Sequence, residues 1–321
     1  MKTDAAILPK MHQRPPGKSK IEYVSKVLRF HWPLYLLLLP PVLYIFIFHY
    51  VPIYGVMLAF KQYQPLKGIL GSPWVGFAHF EQFFSSPSSW RIIRNTVTIS
   101  LYSLVAGFPL PILLAVALNE VRNQWFKKTV QMVTYAPYFI SSVVLVGIVM
   151  QVLDPRVGLI NQFIVLFGGE PVNFMGKSEY FKSIYVWMGI WQGTGYSAII
   201  YLAALAGVSK DLQEAAIIDG ASKIRRIWHV DLPSIRPTIV ILLVLSFGGI
   251  MNVGFETIYL MQNNLNLSTS EIISTYVYKV GLINSNYGFS TAIGLFNSVI
   301  NFILLVSANF FARRLTDSGL W

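Results

Sequence analysis

Cysteine is absent from this sequence, and charged residues are scarce. Of the 321 residues, 12% are Asp, Glu, Lys or Arg, whereas 54% are hydrophobic. The absence of cysteine excludes disulfides, thiolate metal sites and palmitoylation. A soluble domain, in which about 25% of residues are charged, could not cover this much apolar surface. The composition therefore predicts an integral membrane protein.

Motifs for catalysis and metal binding are missing as well. The five histidines have no spacing typical of metal ligands. Gly176–Ser178 resembles the end of a phosphate-binding loop, but Pro171 stands where that pattern requires glycine. Gly195–Ser197 begins like a nucleophile elbow, but Ile199 replaces the closing glycine. We therefore expect no catalytic residue, no metal site and no cofactor bound by this chain.

Long uncharged runs, by contrast, are abundant. Six of them are long enough to cross about 30 Å of hydrocarbon as helices that rise about 1.5 Å per residue. They are Trp32–Phe60, Asn95–Asn119, Thr129–Leu153, Ser183–Ser209, Pro237–Phe255 (extending to Met261) and Gly281–Ala312. The first run is too long for a signal peptide and no cleavage site follows it. The runs predict an all-α fold of six transmembrane helices, in which the prolines are simple kinks.

The distribution of lysine and arginine predicts the orientation. With the N-terminus inside, 17 of the 25 basic residues fall on the cytoplasmic side and 8 outside. Because cytoplasmic loops are rich in Lys and Arg, we expect both termini in the cytoplasm and no nucleic-acid partner. The predicted segments are a basic tail with an interfacial helix (1–31), a first transmembrane helix (32–60), an extracellular interfacial segment (61–90), a five-helix core (91–312) and a cytoplasmic tail (313–321).

One polar stretch, Ser209–Pro237, interrupts the apolar second half of the chain. Ser209 is a suitable N-cap for a short helix that Gly220 ends. A second short helix starts at Ser222 and is expected to end at Pro233, since proline breaks helices. Apolar residues recur at helical spacing on one side of each helix. Such a cytoplasmic helix–turn–helix predicts a docking surface for another protein.

An acidic residue, Glu256, lies inside the fifth predicted span, about 28 Å along the helix from Pro237. Acids within spans are rare and usually face a protein interior or an aqueous path. Asn252 lies one turn before it. The pattern predicts that both residues line a substrate path, and the alternative is an interfacial glutamate near the helix end.

Aromatic and amide side chains mark the fourth predicted span. Trp187, Trp191 and Gln192 cluster on one helix face, and Tyr196 follows a turn later. Stacked rings beside amides suit sugars, which present C–H faces and hydroxyl rims. Helix–helix packing explains the same pattern equally well, and the neighbouring glycines favour it. A substrate path and a packing role therefore both remain open for these residues.

Residues of the polar stretch resemble a known motif. The strings that carry the resemblance are Glu214-Ala215-Ala216, Asp219-Gly220-Ala221 and Val230-Asp231-Leu232-Pro233. They resemble the EAA loop of ABC importer permeases. Other segments resemble the oligosaccharide and polysaccharide branch of the sugar permeases, among them Tyr50–Gly55, Gly71–Gly76, Tyr201–Leu205, Tyr276–Tyr278 and Gly319–Trp321.

This resemblance implies a type I importer permease that is not itself an enzyme. We expect it in the plasma membrane of a bacterium, and a Gram-positive bacterium is the favoured source. Its partners would be a second, homologous permease, a cytoplasmic ATPase dimer that binds ATP and Mg, an extracellular binding lipoprotein and membrane lipid. The residues implied in coupling to the ATPase are Glu214, Ala215, Ala216, Asp219, Gly220, Leu232 and Pro233.

The cargo is less defined than the mode of transport. The branch resembled implies oligosaccharides, with acidic fragments of pectin, rhamnogalacturonan or alginate as the expected kind. The alternative is an ion-coupled secondary carrier of small solutes. That class normally has more spans, internal repeats and several buried charges, whereas this sequence offers six spans and one acid.

Overall fold

A computed structural model describes the backbone of residues 20–316 and the side chains of residues 30–314. Most of the predicted basic tail and the closing Gly319–Trp321 segment lie outside the described residues. The chain divides between Met57 and Leu58 into two compact units. Between residues 20 and 316 the backbone forms helices and loops but no β-strand, and Lys61 pairs with Trp74 in an isolated antiparallel bridge. The predicted all-α class is therefore confirmed.

The first unit contains helix α1, Lys20–Ile45, which continues as a π-helical turn at Phe46–Tyr50. A 3₁₀ segment, Val51–Phe60, follows and runs into the second unit. The helix widens soon after Pro40 and Pro41, which supply no backbone N–H for the regular ladder. Phe30–Phe60 is long and apolar enough to cross a membrane, in agreement with the first predicted span.

The second unit holds the remaining helices, whose lengths vary from a single turn to 30 residues. They are α2 (Gly68–Gly71), α3 (Ala78–Ser85), α4 (Pro87–Gly107), α5 (Pro109–Glu120), α6 (Gln124–Tyr135), α7 (Ser142–Val152), α8 (Leu159–Leu166), α9 (Phe181–Ala206), α10 (Lys210–Ile218), α11 (Lys223–Arg226), α12 (Leu232–Gly248), α13 (Phe255–Met261), α14 (Leu267–Ser270), α15 (Ile273–Tyr278) and α16 (Tyr287–Thr316).

Four helices of the described chain are long and apolar enough to be membrane spans. Besides the first, they are Pro87–Glu120, Lys223–Gly248 and Tyr287–Arg314. Pro87–Glu120 joins α4 and α5 and contains the whole second predicted span. These spans make the protein a multi-pass, all-helical membrane protein.

The third predicted span is not one straight helix. Gln124–Phe139 and Ser142–Val152 meet at an angle of 102°, so they are either one broken span or a re-entrant pair. Pro137 lies in a 3₁₀ turn, Ile140 is extended, and the Ser141 hydroxyl caps α7. The prediction that this proline only kinks a helix was therefore wrong. The helix breaks here, and side chains form hydrogen bonds with the backbone groups that the break leaves free.

The fourth predicted span is a single helix, α9, of 26 residues. It is long enough to span, but it is not among the helices apolar enough to qualify by composition, because polar and small residues, Gln192 among them, interrupt its apolar residues. Gly195 explains part of its packing. A Cβ at that position would lie 2.1 Å from the carbonyl oxygen of Thr134 on α6, whereas nothing lies within 4 Å of one at Gly189.

The fifth predicted span ends earlier than expected and begins earlier too. Helix α12 stops at Gly248, and residues up to Gly254 are non-helical. The prediction that Glu256 lies within this span is therefore wrong. Glu256 lies in the first turn of α13. The two glycines at 248 and 249 favour this break, because glycine is a poor helix former.

The fifth span begins before Pro233, where the sequence predicts a helix break. Helix α11 runs through a π-helical turn, Ile227–Asp231, into α12. Pro233 lies in the first turn of α12, where a proline N–H is not required, so the expectation that it ends a helix was wrong. The sixth span starts later than predicted, at Tyr287 rather than Gly281, after another π-helical turn at Lys279–Ile283.

Three groups of buried apolar side chains hold the second unit together. One joins α4, α7, α9 and α13 around Phe181 and Leu145, and a second joins α3, α4, α15 and α16 around Phe83 and Phe289. The third joins α5, α9 and α12 around Tyr201. Helix α9 contributes to the first and third groups, so it forms the centre against which the helices around the cavity pack.

Candidate functional site

A cavity of about 700 Å³ opens between α4, α5, α9 and the end of α12. Its lining within the described chain has no Asp, Glu, Lys, Arg or His, but it is rich in hydroxyl groups and aromatic rings. The polar and aromatic lining residues are Ser100, Ser103, Phe108, Tyr138, Tyr185, Tyr196, Ser197, Tyr201, Ser246 and Asn252. Such a lining can donate and accept hydrogen bonds and stack on a ring, but it carries no charge.

Two tyrosines form a stacked pair at one side of this cavity. The rings of Tyr138 and Tyr196 are parallel within 4°, with centroids 3.8 Å apart. Tyr196 lies on α9, and Tyr138 lies in the 3₁₀ turn at the break of the third predicted span. The Gln192 side chain donates a hydrogen bond of 2.9 Å to the carbonyl oxygen of Ile140 in the same break. The break therefore positions an aromatic surface against α9.

Asn252 reaches the cavity from the non-helical segment after α12. Its Oδ1 accepts hydrogen bonds of 3.1 Å from Asn297 and from Asn301 on α16. The Asn301 Oδ1 in turn accepts the backbone N–H of Met251 at 3.0 Å. Because its oxygen is occupied, Asn252 presents its amide N–H groups as the free hydrogen-bonding capacity.

Tyr185 fixes the other end of the same segment. Its hydroxyl oxygen accepts the backbone N–H of Gly254 at 3.1 Å. Together with Asn301, it satisfies backbone groups that the end of α12 leaves unpaired, and buried polar groups need such partners. The segment from Met251 to Gly254 is thus held from α9 and from α16.

A second, smaller cavity of about 310 Å³ lies next to the first and shares Ser103, Gly107 and Tyr185 with it. Gln192 and Thr257 line this smaller cavity, together with the glycines at 189 and 193. Neither glycine has a neighbour within 4 Å of where its Cβ would be. Their effect is therefore to leave open space beside α9.

The polar stretch Ser209–Pro237 forms the second candidate site. The Ser209 hydroxyl accepts the N–H of Asp211 at 3.2 Å and caps α10, as predicted. Gly220 has a φ of +77°, a left-handed conformation that glycine adopts without steric cost. The expected stop and turn at Gly220 are confirmed, and the Ser222 hydroxyl then caps α11 at the N–H of Arg225.

A chain of polar contacts fixes α10 to the rest of the molecule. The Gln213 amide donates to the buried carboxylate of Asp231, and its oxygen accepts from Arg226 at 3.1 Å. The Arg226 guanidinium also lies 3.7 Å from the carboxylate of Glu120, the last residue of α5. The helix pair is therefore linked to the ends of two candidate spans.

The same helix pair has large apolar side chains that are uncovered within the described chain. Five large apolar side chains of the stretch are each more than half exposed. They are Leu212, Ile217, Ile218, Ile224 and Trp228. We call these five residues the apolar patch. Several large apolar side chains exposed within one short stretch indicate a protein–protein contact.

Comparison with known proteins identifies the family of the chain. Residues 107–317 match the family model described as "Binding-protein-dependent transport system inner membrane component". The chain belongs to this family. Protein LplB of Bacillus subtilis is 42% identical over 317 residues, which cover 98% of this chain and 99% of LplB.

Two further relatives of this permease family carry functional descriptions. YteP, the polygalacturonan/rhamnogalacturonan transport system permease protein of Bacillus subtilis, is 44% identical over 288 residues, or 90% of each chain. A chain in the crystal structure of a bacterial ABC transporter that imports the acidic polysaccharide alginate is 40% identical, with a TM-score of 0.85. The match covers 92% of this chain and 99% of that one.

The permease fold brings some predicted path residues together and separates others. Tyr196 and Asn252 line the main cavity, and Gln192 lines the smaller one. Trp187, Trp191 and Glu256 line neither cavity and are exposed within the described chain. The expected cluster of the fourth span is therefore divided, and the transport role of its two tryptophans stays a prediction.

The predicted coupling residues differ in their burial. Glu214, Ala215, Asp219, Gly220 and Pro233 are exposed, whereas Leu232 packs against the buried cluster around Tyr201. Leu232 therefore anchors the helix pair to this cluster and is not exposed for contact with a partner. Ala216 is half-buried beside the turn, where its carbonyl accepts the N–H of Ala221.

Several residues of the cavity were missed from the sequence. Ser100, Ser103 and Gly107 recur at helical spacing within an apolar span, which is a usable signal for one polar face. Asn297 and Asn301 are also one helical turn apart on α16. No local signal connects them with Asn252, because that contact depends on the tertiary packing of α12 and α16.

Proposed function

We propose that this protein is the permease subunit of an ATP-driven ABC importer that takes up oligosaccharides, with acidic fragments of plant polysaccharides as the preferred class. The observation that carries the proposal is the main cavity, in which aromatic rings alternate with hydroxyl and amide groups and no ionised side chain is present among the described residues. The family supports the mode of transport, and the descriptions of YteP and the alginate transporter support the cargo.

The cavity chemistry suits a polyhydroxylated ring. The C–H faces of a pyranose pack on aromatic rings such as Tyr138 and Tyr196, and its hydroxyl groups exchange hydrogen bonds with serine and amide groups. Asn252 would donate to the sugar, because its oxygen is already occupied by the two asparagines of α16. A site without charged groups also releases its cargo readily, since no desolvated ion pair must be broken.

Coupling to ATP hydrolysis is assigned to the apolar patch and the acidic residues beside it. Ile218 is 85% exposed and lies next to Asp219 and the Gly220 turn. Exposed apolar side chains with charged neighbours are suited to dock into a cleft on a cytoplasmic ATPase dimer, where ATP and Mg would be bound. The links from Gln213 and Arg226 to Asp231 and Glu120 would transmit movement of the patch to the spans.

The proposed assembly contains a second, homologous permease and an extracellular binding protein, a lipoprotein in a Gram-positive bacterium. A structure of the related alginate transporter is described in complex with an alginate pentasaccharide-bound periplasmic protein. We place six spans in the plasma membrane, counting the bent pair and α9 as one each, with both termini in the cytoplasm according to the distribution of Lys and Arg. The secondary carrier is not favoured, because the family depends on binding proteins.

Reconstitution tests the proposal directly. The complex, purified with its partner subunits, is inserted into liposomes that contain ATP and Mg, and uptake is measured with the binding protein and defined oligosaccharides. The panel contains oligogalacturonates, rhamnogalacturonan fragments, alginate oligosaccharides and neutral oligosaccharides. We expect uptake that requires both ATP and the binding protein. Uptake driven by an ion gradient without ATP would contradict the proposal.

A further inference from the structure

A group of polar side chains on α4 and α9 lies outside both cavities. Arg94, Thr98 and Tyr102 recur every four residues on α4 and therefore share one face of that helix. Two side chains of α9 meet this face. Lys182 Nζ donates to Thr98 Oγ1, and Trp187 Nε1 donates to Tyr102 Oη, each at 3.0 Å. We call these five residues the cationic strip.

Neither cation of the strip has an acidic partner in the part of the chain that the structure describes. The ion pairs formed among the described residues include neither Arg94 nor Lys182. Arg94 is exposed and lies one helical turn before Thr98, the residue that Lys182 contacts. Two like charges near each other repel, and this repulsion is relieved when an anion lies between them. The arrangement thus favours a carboxylate, which also matches the fork of the guanidinium group.

The other end of the strip offers an aromatic surface. Trp187 is about half exposed, and its N–H is occupied by the Tyr102 oxygen. The face of its indole ring, rather than its polar edge, remains for a ligand. Arg94 and Tyr102 are eight residues apart, which corresponds to about 12 Å along the helix. The strip is therefore long enough to contact more than one group of an extended ligand.

The strip shares its two helices, α4 and α9, with both cavities. Ser103, the residue after Tyr102, lines both cavities, as does Tyr185, two residues before Trp187. The charges lie on the strip and not in the main cavity, whose lining among the described residues is uncharged. An anionic ligand would be attracted beside the cavity without being held tightly inside it.

We propose that the cationic strip binds the carboxylate groups of an anionic oligosaccharide, through Arg94 and Lys182, while a sugar ring stacks on Trp187. This inference rests on the proposed function and assigns its acidic cargo to residues of this chain. A neutral oligosaccharide would make no use of the two cations.

The test uses the reconstituted complex with the binding protein, and oligogalacturonate or oligoalginate as the probe, whichever the wild-type complex takes up faster. In the variant Arg94→Gln/Lys182→Gln, we expect the maximal uptake rate to fall about fivefold, the size of effect seen for exposed charge pairs. The charge-preserving variant Arg94→Lys/Lys182→Arg should retain most of the rate. Lys177→Gln removes one positive charge at an exposed position outside the strip and should leave the rate unchanged.

Two further readouts separate binding of the sugar from binding of a protein. Stimulation of ATP hydrolysis by the loaded binding protein, and co-purification of the subunits, should both match the wild type. If either falls in parallel with uptake, the strip contacts a protein and the inference is overturned. Wild-type rates in the neutral variant would overturn it as well.

The choice of cargo distinguishes this inference from the proposed function. Uptake of neutral oligosaccharides alone by the wild-type complex would overturn the inference and the preference for acidic cargo, but it would leave the proposed ATP-driven import of oligosaccharides intact. If the wild-type complex takes up no oligosaccharide at all, the proposed function itself fails.

Discussion

The helix pair of residues 209–237 and the main cavity differ in how their residues are distributed along the chain. The helix pair is built from one continuous stretch, with a capping serine, a left-handed glycine and an exposed apolar patch. The cavity is built from four separate segments, which meet only after the spans have packed. A local site can be recognised by the order of its residues, whereas an assembled site depends on helix ends and breaks.

The two regions also differ in their polar contacts. In the helix pair, charged groups hold the structure, as in the contact of Arg226 with Glu120. Around the cavity, amides and hydroxyl groups take this role, as in the bonds that Asn301 and Tyr185 make to the backbone near Asn252. Neutral groups suit the interior of a membrane protein, where ionised groups are expensive. The comparison shows that charged side chains make the stabilising contacts of the helix pair, whereas neutral polar side chains make those around the cavity.

The largest effect is expected where the cavity depends on close helix packing. A Cβ in Gly195→Ala would lie 2.1 Å from the carbonyl oxygen of Thr134, so α9 and α6 must separate. Overpacking of this kind costs about 1–3 kcal/mol or more, and uptake should fall more than tenfold. Gly189→Ala is the control on the same helix, since nothing lies within 4 Å of its Cβ. If the two variants unfold at the same temperature in detergent, the close contact between positions 195 and 134 does not limit stability.

The apolar patch should respond in the opposite way, with loss of uptake but no loss of stability. Ile218→Asp places a charge at a side chain that is 85% exposed in this chain. If the ATPase covers it, desolvation of the carboxylate should weaken docking by about 2 kcal/mol or more. Uptake and ATPase co-purification should fall at least tenfold, while the unfolding temperature stays constant.

A matched control for the patch is Leu66→Asp. Leu66 is also fully exposed, but it belongs to the segment after the first span. It should leave ATPase binding unchanged. Normal co-purification of the ATPase with Ile218→Asp would remove the patch from the coupling surface and weaken the contrast between the two regions.

A smaller effect is expected from the asparagines that position Asn252. Asn301→Leu removes a donor to Asn252 and the acceptor for the N–H of Met251. A backbone N–H without a partner costs about 1–3 kcal/mol when buried, so Asn252 should lose its fixed position. Uptake should fall about threefold to tenfold while stimulation of ATP hydrolysis by the binding protein persists. Ser298→Ala, an exposed change on the same helix, serves as the control.

Prediction from sequence succeeded where short-range rules decide the structure. The Ser209 cap, the Gly220 turn and the second span follow from side-chain caps, left-handed glycine and apolar length. It failed at Pro137 and Pro233, which have the same intrinsic effect but opposite outcomes. Pro233 lies in a first helical turn that a π-helical turn precedes, whereas Pro137 lies beside a break that Gln192 stabilises from another helix.

The same limit explains the misplacement of Glu256. Its distance from Pro237 was counted along one uninterrupted helix, but the chain leaves the helix at Gly248. Tertiary hydrogen bonds from Asn301 and Tyr185 stabilise that non-helical segment. Neither partner is near it in sequence, so the break was visible only as a pair of glycines.

The smallest effect is expected at Glu256, and this prediction sharpens the boundary of the cavity. Glu256 is exposed and lines neither cavity, whereas Thr257 beside it lines the smaller one. Glu256→Gln preserves the size and most hydrogen bonding of the side chain, so uptake should change less than about twofold. Asn252→Ala, in the same assay, should lower uptake severalfold because it removes a donor from the main cavity. A larger effect from Glu256→Gln would extend the substrate path to the N-terminal end of α13 and would mean that the path contains an ionised group after all.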